Sequence, residues 1–303
     1  MTFVSGQVRV TVPATSANLG PGFDSLGLAL SMRDEVTAEV TADGISIDVT
    51  GAGADTVPRD ASHLVVRSMR AAFDLLGGHP RGIALTCHNR IPHGRGLGSS
   101  SAAIVAGVSL ARALVGGGSL LVDDDRLFGL AAEIEGHPDN VAPAFHGGLV
   151  ISGREDGRFF AVPAVVDPRV TVVVFVPPTS LATTVARGLL PATVPHADAA
   201  ANTGRAALLV AALHTGPEHL LLATRDYLHQ DHRAPAMPAS AELMRSLRDD
   251  GVPAVISGAG PTVLAFCDGP ACTPRSAEFL LGRCPDGWTA HHLDVERVGV
   301  LVG

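Results

Sequence analysis

Residues 91–103 read I-P-H-G-R-G-L-G-S-S-S-A-A, and the rest of the chain is organised around them. Gly94, Gly96 and Gly98 occupy every second position, followed by Ser99, Ser100 and Ser101 and a run of small residues out to Ala113. Glycine admits positive φ and lets a backbone approach a ligand with no Cβ in the way. Serine is a residue type that caps helix starts, so one of the three serines is expected at the N-cap of the helix that follows. The first N–H groups of such a helix lack intrahelical partners and carry the positive end of its dipole. That arrangement binds anions, and phosphate is the usual guest.

The pattern G-R-G-L-G-S-S-S is not the dinucleotide spacing, and it is not a Walker loop, because no Gly-Lys-Ser/Thr follows. The chain contains no lysine; all 22 basic residues are arginine. A P-loop lysine, a protein-kinase lysine and a Schiff-base lysine are therefore excluded. A phosphate held here must rely on backbone amides, serine hydroxyls and a metal ion, with Arg95 as an optional further donor.

Outward from the loop, V-R-V-T-V at Val8 to Val12 alternates as a strand and runs into a loop rich in Gly, Ser and Asn that carries Asn18 and Asp24. Alternation predicts strands at 35–40, 45–49 and 83–88, and helical spacing covers 63–76 up to Gly77-Gly78. A helix over 123–134 delivers E-I-E-G-H-P-D-N, which packs Glu133, Glu135, His137, Asp139 and Asn140 into one short stretch. Buried polar groups are costly unless partnered, so so dense a cluster points to a site. Glu133 lies two residues before Glu135 on the helix and is expected to point to the other side. A boundary is expected near Asp167-Pro168, ahead of the apolar strand 170–176. Helices follow at 198–213, 218–228 and 239–248, then two short buried strands within 252–266 around Gly-Ala-Gly-Pro. Helices and strands intermingle without a regular βαβ series, which predicts an α+β fold.

A length of 303 residues leaves room for two domains with a substantial core. A net charge of −8 and the lack of any basic run argue against a nucleic-acid partner. With one Trp and one Tyr there is little to stack bases on. Cys87, Cys267, Cys272 and Cys284 show no C-x-x-C and no metal spacing with His, which suits a reducing compartment. No basic-then-apolar leader opens the chain. No apolar segment reaches the ~18 residues of a membrane span, so the expectation is a soluble, cytoplasmic protein.

Three segments in order, P-A-T-S-A-N-L-G-P-G-F-D at 13–24, P-H-G-R-G-L-G-S-S-S-A-A at 92–103 and S-G-A-G-P-T at 257–262, resemble the GHMP small-molecule kinases over essentially the whole chain. The first segment and H-P-D-N-V-A-P-A at 137–144 are similar to the branch that acts on an amino-acid hydroxyl. The resemblance implies a two-domain fold: an N-terminal domain, 1–166, with the ATP loop, and a ferredoxin-like C-terminal domain, 167–303. It implies ATP-dependent phosphorylation of the L-homoserine hydroxyl, with Mg²⁺ as cofactor and a homodimer as one assembly open to it. By resemblance, Pro92, His93, Gly94, Arg95, Gly96, Leu97, Gly98, Ser99, Ser100, Ser101 and Ala102 wrap the ATP phosphates. Glu135, with either Ser99 or Ser100, would hold the metal, a sparse oxygen set of the kind Mg²⁺ accepts. Arg187 and Arg233 match the family's carboxylate-clamping arginines, and Asn18 and Asp24 match the residues that take the ammonium. His137 is placed at the substrate as an orienting group. Asp139 stands where some relatives have a catalytic base, and Asn140 is the contact beside the reacting hydroxyl. Arg95 departs from the small residue common at its place; it either adds a cation near the phosphates or points outward.

Overall fold

The computed structural model describes residues 1–267 and 273–303, so Cys272 lies outside the described residues. The first sheet contains β1 (Gln7–Ala17), β2 (Leu26–Thr41), β3 (Gly44–Gly51), β4 (Gly82–Asn89), β5 (Leu149–Glu155) and β6 (Arg158–Ala164). The second contains β7 (Thr171–Val176), β8 (Ala254–Ile256), β9 (Val263–Cys267) and β10 (Thr289–Asp294). A short last strand, β11 (Leu301–Val302), returns to the first sheet and pairs with β1. The expected division at 166/167 therefore does not separate the two sheets cleanly: the chain's end belongs to the N-terminal sheet.

The first sheet has the order β11-β1-β2-β4-β3, antiparallel except where β3 runs parallel to β4, and β5 leads from β2 to β6. β1 is longer than the alternation of 8–12 predicts. The P-A-T-S-A segment, read as loop, stays extended and pairs with β2 after a bulge at Pro13/Ala14. It is held because Thr15 and Ser16 are fully buried between the sheet and the glycine loop, and Thr15 N–H donates to the Leu97 carbonyl. The helices Leu64–Leu76, Asp124–Glu135 and Val141–His146 pack around the helix Ser99–Leu114. That central helix is buried along nearly its whole length, which its small residues allow.

The second sheet has the antiparallel order β10-β7-β9-β8, the 4-1-3-2 order of a ferredoxin-like split βαβ. β7 reads as a continuous apolar run because both its faces are covered. Val172 and Val174 face the core shared with the first domain, whereas Val173 and Phe175 face a second core with Leu243, Met244 and Leu247 of the helix Pro238–Asp249. Each such fully buried side chain contributes roughly 1.5–3 kcal/mol. The domains thus share one continuous apolar cluster.

One predicted helix is shorter than the spacing suggests. The stretch 218–228 forms a 3₁₀ turn, Pro217–His219, and the short helix Leu220–Ala223. Thr224 ends it: its hydroxyl donates back to the Leu220 carbonyl and accepts from Arg248. Asp226 then receives the N–H groups of Leu228, His229 and Gln230, which starts the turn Gln230–Arg233 in a new direction. Among the described residues no helix is long and apolar enough to cross a membrane.

Candidate active site

Gly94, Gly96 and Gly98 all have positive φ, at 63°, 75° and 71°. The N-cap of Ser99–Leu114 is Gly98, not a serine, and no side chain caps it. The amides of the first turn are therefore left to face whatever enters the loop. A Cβ on Gly98 would lie 1.9 Å from Thr15 Oγ1, and one on Gly96 would lie 2.3 Å from the Ser257 carbonyl oxygen. Close approach to both neighbours demands glycine here. The S-G-A-G-P-T turn braces the loop: Ser257 Oγ donates to the Gly96 carbonyl at 2.6 Å, and Thr262 N–H donates to the Arg95 carbonyl.

Arg95 points away from the loop's mouth. Its guanidinium donates to the carbonyls of His93, Pro177 and Pro178 and so fastens the loop to the segment after β7. Of the two placements the sequence leaves open for Arg95, this is the outward one: Nε, Nη1 and Nη2 each donate to a carbonyl.

The serine hydroxyls turn sideways. Ser100 Oγ and Ser101 Oγ donate to Glu135 Oε1 at 2.6 and 3.0 Å. Ser100 and Ser101, rather than Ser99, are thus the serines bonded to Glu135, and of these two Ser100 lines the cleft together with Ser99 and Glu135. One carboxylate and hydroxyls are hard oxygen donors that fit Mg²⁺. Among the described residues there is no cluster of three or more His, Cys, Asp or Glu, the kind of set a softer metal would use. Glu133 faces the other way, as its spacing predicts, and pairs with Arg154 at 2.9 Å.

Asp139 is buried, and its carboxylate lies 2.7 Å from His137 Nδ1. Burial disfavours the imidazolium, yet the Asp139 hydrogen bond and charge, with Glu135, hold His137 above its ordinary pKa. Asn140 Oδ1 accepts from Thr15 Oγ1 at 2.8 Å. The H-P-D-N segment reaches the sheet because Gly27 of β2 is bare: a Cβ there would lie 1.8 Å from the Asp139 carbonyl oxygen. His146 instead meets the Phe128 ring at a tilt and the Phe145 ring edge-on, with centroids 5.4 and 5.0 Å away.

Across the cleft, Arg187 and Asp24 form a two-pronged ion pair, with N···O distances of 2.6 and 3.1 Å. Asp24 sits at φ 54°, and its N–H donates to Asn18 Oδ1, whose Nδ2 donates to the Gly258 carbonyl. Asn18 therefore joins the first loop to the third motif and sets the position of Asp24. Arg233 is 2 % exposed, and its guanidinium donates to the Ala186 carbonyl and contacts His229 Nδ1. Among the described residues no carboxylate lies within ion-pair distance of it. Burial, with the nearby Arg187 charge, lowers its pKa. The Phe23 ring lies against both guanidiniums, 5.8 Å from Arg187 and 5.3 Å from Arg233.

Asn18, Asp24, Gly94, Gly96, Gly98, Ser99, Ser100, Glu135, His137, Asp139, Asn140, Arg187 and Arg233 line one cavity of about 240 Å³. A second cavity, of about 280 Å³ and mainly apolar, opens on the other side of Ser99 and Ser100. Val57, Pro58, His63, Leu64 and Asn89 line it, with Ala102 and His93 from the loop. Sequence reasoning missed this second chamber and also missed Phe23, Asp226 and His229. A positioning role for His229 was legible only in its spacing of four residues from Arg233, one turn of helix.

Two family models match the chain: the GHMP kinases N terminal domain over residues 63–148 and the GHMP kinases C terminal over residues 208–272. The chain belongs to the GHMP kinase family. It is 56 % identical to a homoserine kinase of Streptomyces coelicolor, across 99 % of this chain and 96 % of that one. A homoserine kinase of Streptomyces avermitilis is 55 % identical over 99 % and 97 % of the two chains. The crystal structure of homoserine kinase from Cytophaga hutchinsonii superposes with a TM-score of 0.86 at 27 % identity, covering both chains completely.

Proposed function

We propose that this chain is a homoserine kinase, which transfers the γ-phosphoryl group of ATP to the side-chain hydroxyl of L-homoserine and releases O-phospho-L-homoserine and ADP, a step toward threonine. Homoserine is a zwitterion with a hydroxyl at its far end. The observation that carries the reading is Arg233, a buried guanidinium with no carboxylate partner among the described residues, facing the same cavity as Asp24, Arg187 and the glycine loop. A buried, uncompensated cation is costly unless an anion completes it, and a guanidinium fork suits a carboxylate.

The nucleoside of ATP belongs in the apolar chamber beside Ala102 and His63, and its phosphates belong along Gly94–Ser100, against the uncapped amides. Ser100 and Glu135 would hold Mg²⁺, which when bound neutralises phosphate charge. The carboxylate of homoserine lies with Arg233 and Arg187, its ammonium with Asp24, and its hydroxyl near Asn140 and Asp139. The hydroxyl oxygen forms a bond to the γ-phosphorus, the bond to the β,γ-bridging oxygen breaks, and that oxygen leaves with the electron pair on ADP. The hydroxyl proton leaves toward Asp139, whose hydrogen bond to His137 orients it. Placing the oxygen in line beside a neutralised phosphate provides most of the rate.

The test is a coupled ADP-release assay with Mg²⁺ and ATP across L-homoserine, mevalonate and galactose. Turnover of homoserine alone is expected. Turnover of another acceptor with none of homoserine overturns the proposal.

A further inference from the structure

We infer that a basic hollow where β3 and β4 begin, beside the helix Leu64–Leu76, is a binding site for a small organic phosphate whose occupancy weakens ATP binding. The inference goes beyond the kinase reading; only its effect on ATP rests on the nucleoside placement above.

The hollow has a volume of about 390 Å³, and the guanidiniums of Arg59, Arg70 and Arg81 line it against the single carboxylate of Asp60. That balance is the reverse of the whole chain's, which carries a net charge of −8. The neighbouring acids are engaged elsewhere. Asp60 accepts from the Ser62 N–H and Oγ at 2.8 and 2.6 Å, and Asp74 lies 2.7 Å from His79 Nε2. Asp48 faces Arg59 at 3.6 Å but is mostly exposed, so water screens the pair. Arg70 and Arg81 have no side-chain hydrogen bond or ion pair among the described residues. Like charges gathered in one concavity repel each other and focus a field that draws in an anion.

A guanidinium fork fits phosphate oxygens, and several forks suit a dianion better than a lone carboxylate. Ile45, Phe73 and Pro80 give the hollow an apolar side as well. The occupant that satisfies both is a phosphate ester, its phosphate on the arginines and its organic part on those three residues.

Residues 57–63 form a partition between this hollow and the nucleoside chamber. Val57, Pro58, Ser62 and His63 line the chamber, whereas Arg59, Asp60 and Ala61 line the hollow. Arg59 ties the partition to β3. Its Nη1 donates to the Ile47 carbonyl at 3.2 Å, and its Nη2 donates to the Val49 and Ala54 carbonyls at 3.3 and 3.0 Å. A phosphate drawn in by Arg70 and Arg81 competes for that guanidinium and loosens the tie. The chamber wall then fits the nucleoside less well, and by reciprocity ATP weakens the phosphate ester.

The probe is phenyl phosphate, and the control protein is Arg70→Gln/Arg81→Gln. Both arginines are exposed and line neither the cleft nor the chamber, so fold and basal turnover are expected to be unchanged. Calorimetry on the full chain, with ADP and Mg²⁺ saturating the cleft, should find one site with a Kd on the order of 0.1–1 mM. The double variant should bind about tenfold more weakly, and inorganic phosphate should bind wild type more weakly than phenyl phosphate does. A variant that binds like wild type, or inorganic phosphate that binds as well as the ester, overturns the site. In ADP-release assays phenyl phosphate should raise the KM for ATP about fivefold in wild type and far less in the variant. An equal rise in both proteins assigns the inhibition to the glycine loop and overturns the proposal, as does no rise in wild type. The calorimetry needs no acceptor, so its failure is distinct from failure of the homoserine reading.

Discussion

Replacing Asp34 by asparagine should stabilise the protein at neutral pH and leave it unchanged in acid. Asp34 lies in β2, 6 % exposed, and its Oδ1 accepts the N–H groups of Arg90 and Ile91 at 2.6 and 2.9 Å, at the entry to the glycine loop. Burial pushes its carboxyl up to about 6, against the two amides, which pull it down. The folded protein therefore holds this proton more tightly than the unfolded chain does. The stability it contributes is fully present below the ordinary carboxylate range and is lost as pH rises through about 6. Between those limits the difference amounts to about 3 kcal/mol, at about 1.36 kcal/mol per pKa unit. Asparagine keeps an acceptor for both amides and never ionises, so it retains what the carboxylate loses. With about 2.1 cal/mol/K of unfolding entropy for each of 303 residues, the gain corresponds to about 5 °C in Tm. Thermal unfolding of both proteins from pH 4 to pH 8 should show coincident midpoints at the acid end and a gap that opens through pH 6. Histidines titrating over the same range are common to both proteins and cancel. A gap independent of pH, or a variant that melts below wild type at pH 8, refutes the argument.

Gly96→Ala forces a Cβ to 2.3 Å from the Ser257 carbonyl oxygen on a backbone at φ 75°. It should cost about 2 kcal/mol in thermal unfolding and raise the KM for ATP more than that for homoserine. Glu135→Gln removes the carboxylate to which Ser100 and Ser101 both donate, and kcat should fall on the order of 10²–10³-fold. Half-maximal rate should then need more Mg²⁺, whereas an unchanged Mg²⁺ dependence would remove Glu135 from the metal's ligands. Asp139→Asn deletes the charge that raises His137, so the His137 imidazole followed by NMR should titrate at lower pH than in wild type. No movement would show that the 2.7 Å contact does not persist in solution.

Much of the site was legible as local pattern. Glycines at every second position before small residues mark a loop of positive φ feeding a helix, and all three glycines adopt it. The two-residue offset of Glu133 from Glu135 put them on opposite sides, and they lie so. What local pattern misread depends on neighbours it cannot see. A serine looked like the N-cap, but the hydroxyls found Glu135 on another helix and left the cap to Gly98. Local pattern left two placements open for Arg95, and three carbonyls, two of them after β7, decide for the outward one. The stretch 218–228 has helical composition, but Thr224 and Asp226 bend it, and that bend aims Arg233 into the cleft.

From the sequence by itself came the lysine-free phosphate loop and the α+β class, which follow from backbone torsions and residue chemistry at a few neighbouring positions; the side chains fit for a zwitterion came from the resemblance of three ordered motifs to a family. Only the tertiary structure decided which of those side chains meet. Asp24 and Arg187 are 163 residues apart, and β11 returns from the chain's end to β1. Such pairings arise from the burial of two sheets against a shared apolar core, a property of the whole chain that no single stretch encodes.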